Sequence, residues 1–271
     1  MIAFPNCKIN LGLYIENKRN DGFHNIKTVF YPVELKDVLE IIESDTSDFS
    51  LSMSGITVNG DLKSNLCFKA YSLLKNDFQL PAVKIHLHKA IPHGAGLGGG
   101  SSDAAFTIKM LNSKFNLHLH KEQMQYYAGK LGSDCAFFIE NKAVVAEEKG
   151  DVFESIEIDL NAYHILIVKP NVFVSTPEAY QWVKARNETI DIKSIIKQPI
   201  RNWKDNLIND FEESVFKKYP IIASVKELLY ENDAVYASMS GSGAAVFGIF
   251  KEAPISLPLP EDCFCWSNKT L

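Results

Sequence analysis

A glycine-rich turn at residues 94–102, Gly-Ala-Gly-Leu-Gly-Gly-Gly-Ser-Ser, constrains the fold more than any other segment. After Asp103 it leads into residues 104–111, whose apolar side chains recur with helical spacing. Glycine loses more backbone entropy on folding than any other residue, so this density indicates that another group approaches the backbone closely. The sequence therefore predicts a turn that ends at the N-terminus of a helix.

Polyphosphate is the ligand that such a turn suits best. The first turn of a helix has unpaired N–H groups, and the helix dipole favours negative charge there. Ser101 and Ser102 can add hydroxyl donors or reach a magnesium ion. A flexible surface loop is the alternative, although loops of that kind rarely lead into an alanine-rich helix.

Two common nucleotide motifs do not fit this turn. Gly94, Gly96 and Gly99 satisfy G-x-G-x-x-G, but the preceding segment 83–89 alternates with lysine and histidine, whereas a dinucleotide-binding fold needs a continuously apolar strand there. A P-loop is excluded because no lysine follows the last glycine. A phosphoryl transferase needs a cation near the transferred group, so the lysine must come from elsewhere in the chain.

Lys8 is the candidate for that cation. Residues 7–15 alternate between apolar and other side chains, which predicts a strand with one buried face. Lys8 and Asn10 then share the opposite, polar face, where we expect Lys8 to be exposed.

The remaining pattern predicts an α+β protein. Asn20-Asp21-Gly22 is a turn, and the strands at 26–35 and 38–42 suggest that the chain begins as an antiparallel meander. We further expect helices at 64–78, with Ser64 as N-cap, and at 121–131, and strands at 83–89 and 165–168. A composition shift after Gly150 places a domain boundary near residue 155.

Composition narrows the functional class. The chain has 271 residues, of which 46% are hydrophobic, enough for one large domain or two modest ones. Its formal net charge of -5 argues against a nucleic acid as main partner. Five cysteines without a C-x-x-C pair, no signal-peptide pattern and no apolar run long enough to span a bilayer predict a cytoplasmic protein.

Three segments together resemble the signature motifs of the galactokinase/homoserine kinase/mevalonate kinase superfamily: residues 5–11, 96–102 and 239–244. Within that superfamily, residues 19–24 look like the R-x-D-G-[YF]-H motif of the 4-diphosphocytidyl-2-C-methyl-D-erythritol kinase family. Residues 131–134 are similar to that family's L-G-[AS]-D segment. The matches occur in the right order over nearly the whole chain.

The resemblance implies a two-domain α+β kinase, with an ATP-binding domain at 1–155, a substrate-side domain at 156–271 and the active site between them. It implies transfer of the ATP γ-phosphoryl group to the 2-hydroxyl of the diphosphocytidyl methylerythritol, a step of non-mevalonate isoprenoid synthesis. ATP is then the co-substrate, with Mg²⁺, and the partner is a small cytidine diphosphate-linked alcohol. No nucleic acid, membrane, obligate protein partner or protein-bound metal cluster is implied.

The resemblance also assigns residues. The catalytic pair is Lys8 and Asp134. The substrate-binding positions are Asn10, Phe23, His24, Thr176, Tyr180, Gly241, Ser242 and Gly243, with Phe23 and Tyr180 stacking on cytosine and His24 bonding its edge. The ATP-binding positions are Asn65, Leu66, Lys89, Pro92, His93, Gly94, Ala95, Gly96, Leu97, Gly98, Gly99, Gly100, Ser101 and Ser102.

The chain departs from the family pattern at Cys135-Ala136, where Val-Pro is common, and at Phe23, where tyrosine is common. From the residues alone, Asp134 suits a helix N-cap as well as catalysis, and residues 240–243 suit a plain hairpin turn as well as an anion-binding nest. A homoserine or mevalonate kinase and a catalytically silent nucleotide-binding module are the competing functions.

Overall fold

A computed structural model of the chain describes residues 1–58, 60–186, 188–254 and 257–269. The strands are β1 (Ile2–Ala3), β2 (Asn6–Lys18), β3 (His24–Lys36), β4 (Val38–Glu43), β5 (Ser50–Gly55), β6 (Val83–Lys89), β7 (Val144–Glu147), β8 (Val152–Ser155), β9 (His164–Lys169), β10 (Tyr236–Met239), β11 (Val246–Phe250) and β12 (Phe264–Ser267). The helices are α1 (Leu66–Phe78), α2 (Gly99–Lys114), α3 (Lys121–Gly129), α4 (Phe137–Glu140), α5 (Thr176–Trp182), α6 (Ile192–Ile196), α7 (Trp203–Asn206), α8 (Glu212–Lys218) and α9 (Pro220–Glu231). This mixture confirms the α+β class.

The chain divides into two units that are discontinuous in sequence. Unit 1 comprises residues 1–7, 34–93 and 98–142, and unit 2 comprises residues 8–33, 94–97 and 143–271. The glycine-rich turn is therefore divided, with residues 94–97 in unit 2 and Gly98 onward in unit 1. This division differs from the single boundary near residue 155, and the assignment of functions to 1–155 and 156–271 stays a prediction.

Unit 1 is built on one mixed sheet with strand order β1-β4-β6-β5. β4 pairs antiparallel with β6, and β5 pairs parallel with β6 after the crossover through α1. The apolar residues of β6, Val83, Ile85 and Leu87, are buried, whereas the polar residues between them are more accessible. The predicted strand at 83–89 is confirmed.

The predicted opening meander is wrong, because β4 lies in the sheet of unit 1 and not beside β3. Asp37 separates the two strands and explains the change. Its carboxylate accepts hydrogen bonds from the backbone N–H groups of Ala90 (2.6 Å) and Ile91 (2.8 Å), which anchors the start of β4 at the end of β6. These two hydrogen bonds join residues more than 50 positions apart in sequence, so the local alternation does not indicate them.

Helix α1 begins at Leu66, two residues after the start of the predicted range 64–78, and has a different cap. The Asn65 side-chain oxygen accepts a hydrogen bond from the Cys67 N–H at 2.8 Å, whereas Ser64 ends a short 3₁₀ turn. Asn65 is therefore the N-cap, and the prediction of Ser64 was wrong. Both residues are good caps, and the preceding 3₁₀ turn decides between them.

Unit 2 contains two sheets, with strand orders β2-β3-β7-β8 and β10-β11-β9-β12. In the second sheet, β9 pairs antiparallel with β11 and β12, and β11 pairs antiparallel with β10. The apolar strand predicted at 165–168 is the centre of β9 and is confirmed. Residues Leu166, Val168, Val225, Leu229 and Val246 belong to the buried core of this unit.

Strand β2 confirms the strand predicted at residues 7–15, but the expectation of a single buried face was wrong, because both faces are buried over residues 6–15. Cys7, Ile9 and Leu11 lie in the core as expected. Lys8 is only 3% exposed, so the expectation of an exposed lysine was wrong. The ammonium is accommodated because polar groups surround it, which a period-two pattern does not reveal.

Among the helices of the described ranges, none is both long and apolar enough to cross a membrane.

Candidate functional site

The Lys8 ammonium is held by two oxygen acceptors of unit 2. Its Nζ donates to the Asn10 side-chain oxygen at 2.5 Å and to the Gly96 carbonyl at 3.1 Å. It also lies 4.9 Å from the centre of the Phe30 ring, within range of a cation–π interaction. The Lys8 backbone N–H donates to the Leu97 carbonyl at 2.9 Å. Lys8 is therefore tied to the glycine-rich turn through both its side chain and its backbone.

A second layer of polar groups supports Asn10. The Asn10 amide nitrogen donates to the Thr28 hydroxyl at 2.9 Å, and that hydroxyl donates to the Gly12 carbonyl at 2.5 Å. Thr28 was missed by the sequence analysis. It lies within the alternating strand β3, where a single threonine gives no signal that distinguishes it from a core residue.

The first half of the glycine-rich turn packs against the turn between β10 and β11. Gly96 has a φ of +74°, and a Cβ on it would overlap the Ser240 carbonyl oxygen. The Ser240 hydroxyl donates to the Gly96 carbonyl at 2.9 Å, and the Ala245 N–H donates to the Ala95 carbonyl at 3.1 Å. Two of the motifs that carried the family resemblance are thus in direct contact.

The turn at residues 240–245 closes the antiparallel pair β10–β11, so the hairpin interpretation is confirmed. The Asn209 side chain forms hydrogen bonds with the backbone of this turn. Its amide nitrogen donates to the carbonyls of Met239 and Gly241, both at 2.8 Å. The Ser242 and Thr176 hydroxyls are hydrogen-bonded at 2.9 Å, which joins the start of α5 to the same turn. Anion binding by residues 241–243 stays a prediction.

In unit 1, the predicted helix after the glycines is confirmed as α2, but it begins at Gly99, inside the glycine-rich turn and before the predicted helical segment at 104–111. Gly98 precedes the helix with a φ of +70° and provides no side-chain cap, so the first-turn N–H groups lack a capping side chain. The Ser102 hydroxyl is buried and has no hydrogen-bond partner among the described residues. The side chain of Leu66 lies beside the first turn of α2, since a Cβ on Gly100 would lie 3.8 Å from it.

Lys89, predicted to contact ATP, directs its ammonium at two buried carboxylates of its own unit. Its Nζ binds Asp37 and lies 2.7 Å from the carboxylate of Asp103, which follows the first turn of α2. Burial lowers the pKa of Lys89, but the two carboxylates outweigh it and raise the pKa overall. Burial raises the pKa of Asp103 to about 7, against the opposing effect of Lys89. This cluster fixes the end of β6 against α2.

Asp134 lies in a short 3₁₀ turn, Ser133–Cys135, that follows Gly132. Helix α4 begins at Phe137 with Ala136 at the cap position, so Asp134 is not its N-cap. The neighbouring Cys135 thiol interacts with Ser101, which places this turn beside the first turn of α2 within unit 1. Burial raises the pKa of the Cys135 thiol to about 12, so this thiol is not a nucleophile at neutral pH.

The candidates for cytosine binding form an aromatic group in unit 2. The rings of His24 and Tyr180 are stacked, with centroids 4.9 Å apart and an interplanar angle of 18°. Tyr180 also makes an edge-to-face contact with Phe211, with ring centroids 4.8 Å apart. Phe23 is 60% exposed, and the Lys149 ammonium lies 5.7 Å from its ring centre. Burial lowers the pKa of His24, and Lys18 lowers it further.

The comparisons with known proteins cover both units. Residues 65–142 match the GHMP kinases N terminal domain, and residues 192–256 match the GHMP kinases C terminal domain. The chain is 53% identical over 274 residues to a 4-diphosphocytidyl-2-C-methyl-D-erythritol kinase of Bacteroides thetaiotaomicron, covering 99% of this chain and 100% of the relative. It is 50% identical over 272 residues to the enzyme of the same name from Bacteroides fragilis, covering 99% of both chains.

Solved structures agree with these matches. A crystal structure of 4-(cytidine 5'-diphospho)-2C-methyl-D-erythritol kinase superposes with a TM-score of 0.78 at 28% identity, covering 92% of this chain and 90% of that one. The Methanococcus jannaschii mevalonate kinase superposes with a TM-score of 0.69 at 17% identity, covering 98% of this chain and 97% of that one. The latter similarity concerns the fold alone.

Proposed function

The chain belongs to the 4-diphosphocytidyl-2-C-methyl-D-erythritol kinase family, and from that premise we propose that Lys8 and Asp134 carry its transfer step. The protein is an ATP-dependent kinase that phosphorylates the 2-hydroxyl of 4-diphosphocytidyl-2-C-methyl-D-erythritol in non-mevalonate isoprenoid biosynthesis. Full-length identities near 50% favour this substrate over homoserine or mevalonate, whose kinases share only the fold with this chain. The roles of individual residues are the proposed part.

The observation that carries the proposal is the buried Lys8 ammonium, bonded to Asn10 and to the Gly96 carbonyl of the glycine-rich turn. A fixed cation in a site of low dielectric stabilises charge on transferred phosphoryl oxygens more strongly than a mobile surface lysine. Lys8 is already oriented before the substrate arrives, so little reorganisation is needed during the reaction.

Asp134 accepts the proton of the substrate hydroxyl, or orients that hydroxyl, in the proposed mechanism. It follows Gly132 in a turn that packs against the first turn of α2, where the phosphates are proposed to bind. A carboxylate there is suited to accept a proton from an alcohol that attacks a nearby phosphorus. Its place inside the 3₁₀ turn, rather than at a helix cap, supports this role.

The phosphates bind the first-turn N–H groups of α2 in this proposal. These groups have no capping side chain, and the helix of 16 residues directs its positive end toward them. The buried Ser102 hydroxyl, which has no hydrogen-bond partner among the described residues, fits Mg²⁺, because magnesium takes oxygen ligands and shares them with substrate phosphates. When bound, the ion neutralises charge on the phosphate oxygens.

The cytidine end is proposed to bind the aromatic group of unit 2. Phe23 offers an exposed face for stacking, and His24, held on Tyr180, offers ring nitrogens to the edge of the base. Thr176 and residues 241–243 lie at the joined ends of α5 and the hairpin, where hydroxyl and N–H groups suit the substrate phosphates. Asn65, Leu66 and Lys89, proposed for the adenine end, all lie in unit 1.

Steady-state kinetics with ATP and the cytidylylated substrate test these roles. We expect Lys8→Met and Asp134→Asn to lower kcat by about 10²–10⁴-fold. The melting temperature of Asp134→Asn should stay near that of the parent, whereas that of Lys8→Met should fall, because the buried Asn10 oxygen loses its ammonium donor. Lys84→Met and Asp45→Asn are matched controls, because they break an exposed ion pair of unit 1 to which no site role is assigned. Near-parental kcat in either catalytic variant would sink that residue's assignment.

A catalytically silent nucleotide-binding module would bind ATP without phosphorylating any of the three alcohols. The same assay therefore includes homoserine and mevalonate as acceptors. Turnover with the cytidylylated alcohol alone is the expected result.

A further inference from the structure

A buried relay of hydrogen bonds leads from Lys8 to Thr28. Lys8 Nζ donates to Asn10 Oδ1 at 2.5 Å, Asn10 Nδ2 donates to Thr28 Oγ1 at 2.9 Å, and Thr28 Oγ1 donates to the Gly12 carbonyl at 2.5 Å. Asn10 is 1% exposed and Thr28 is 0% exposed. Bulk water therefore has no access to replace a lost partner.

The donors and acceptors of this relay have one consistent arrangement. An ammonium only donates, so Asn10 must turn its oxygen toward Lys8 and its NH₂ toward Thr28. The Thr28 oxygen then accepts from Asn10, and its own proton must go to a further acceptor, which is the Gly12 carbonyl. Because its own proton goes to Gly12, Thr28 is an acceptor for Asn10 and supports the amide orientation that the ammonium requires.

The end of the relay is itself anchored. Gly12 has a φ of +68°, and a Cβ there would run into Leu207, so this backbone conformation suits glycine alone. Directly after Gly12, strand β2 pairs with another segment of unit 2, since the Leu13 N–H donates to the Ile208 carbonyl at 2.8 Å. The Gly12 carbonyl, which accepts from Thr28, is therefore fixed by the conformation of Gly12 and by the Leu13–Ile208 hydrogen bond.

We infer that Thr28 is a positioning residue for the phosphoryl transfer, which acts through the Asn10 amide to orient the Lys8 ammonium. This inference rests on the proposed role of Lys8. Thr28 does not touch substrate in this inference. Its loss leaves Asn10 with an unpaired NH₂ group, and rotation of the amide to find a partner withdraws the oxygen from Lys8.

Three variants test the inference by steady-state kinetics and thermal unfolding. Thr28→Val keeps the shape and removes the hydroxyl, whereas Thr28→Ser keeps the hydroxyl. Thr107→Val is the matched control, because Thr107 is also fully buried and donates to a backbone carbonyl, that of Asp103, at 2.8 Å. We expect Thr28→Val to lower kcat by about 10–100-fold, as misplacement of a catalytic group does. Both KM values should stay within about twofold, Thr28→Ser should restore most of kcat, and Thr107→Val should leave kcat unchanged.

A double-mutant cycle separates positioning from a general structural effect. In an Asn10→Leu background the relay is already broken, so adding Thr28→Val should change kcat no further. The Asn10→Leu/Thr28→Val double variant contains no Asn10 amide that would lack a partner. It can therefore still be compared with Asn10→Leu if Thr28→Val alone does not fold. An equal loss of kcat in both backgrounds would overturn the inference, because Thr28 would then act independently of Asn10.

Lys8→Met, assayed alongside, distinguishes the two possible failures. If Lys8→Met is inactive and Thr28→Val has parental kcat, the role of Lys8 stands and the inference about Thr28 is overturned. If Lys8→Met has near-parental kcat, the proposed role of Lys8 fails and the inference falls with it.

Discussion

The Cα of Gly96 faces the backbone carbonyl of Ser240 so closely that a methyl group on Gly96 would overlap the Ser240 oxygen. The Ser240 hydroxyl completes the contact by donating to the Gly96 carbonyl at 2.9 Å. Two loops almost 150 residues apart in sequence are thereby held against each other inside unit 2. The same Gly96 carbonyl also accepts from Lys8, so this contact supports the proposed catalytic lysine.

Gly96→Ala should therefore destabilise the protein and lower its activity. A left-handed alanine costs about 1–2 kcal/mol, and the overlap with Ser240 adds to that cost because backbone cannot move aside easily. Thermal unfolding and kcat check this. Gly129→Ala is the matched control, since Gly129 ends helix α3 with open space around it and should tolerate alanine. Equal stability of the two variants would contradict the close approach.

Asn65→Ala should cost about 1 kcal/mol of stability, the usual penalty for losing an N-cap. The side-chain oxygen that receives the Cys67 N–H disappears, and no neighbouring side chain replaces it at that position. Urea unfolding of the variant measures the loss. Ser64→Ala, at the neighbouring position, should cost no more than a few tenths of that amount, and a larger effect at Ser64 would restore it as the cap.

Lys89→Met should be among the most destabilising single changes in unit 1, at about 3–5 kcal/mol. It leaves the buried carboxylates of Asp37 and Asp103 without their shared cation. Urea unfolding measures the effect. Lys84→Met on the same strand breaks only an exposed pair with Asp45 and should have no measurable effect. Similar midpoints for the two variants would show that the buried cluster contributes little.

Cys135 should resist alkylation at pH 8, whereas Cys265 should react faster than Cys135. The thiolate is the reactive form, and burial raises the pKa of Cys135 to about 12, so its thiol stays protonated at pH values well below that. Cys265 is the exposed cysteine among those described. Timed labelling with iodoacetamide and mass spectrometry measures both rates, with a urea-unfolded sample as control. Equal rates in the folded protein would contradict the burial of Cys135.

Local sequence pattern was sufficient for much of the fold. The alternation at 83–89 predicted β6, the apolar run at 165–168 predicted the centre of β9, and the glycine density at 94–102 predicted the start of α2. These features depend on backbone preferences and side-chain periodicity over a few residues, which the sequence displays directly. The motifs at residues 5–11, 19–24, 96–102 and 239–244 similarly indicated the kinase family, which the comparisons confirm.

Only the tertiary structure decided how the site is supported. Thr28 binds Asn10 across 18 residues, and Ser240 binds Gly96 across 144 residues, so no local window contains either pair. The burial of Lys8 follows from the same cause, because an alternating strand predicts a polar face but not what covers it. Hydrogen bonds between distant segments exist only after the chain has folded, and they convert an ordinary lysine, threonine and serine into a connected group.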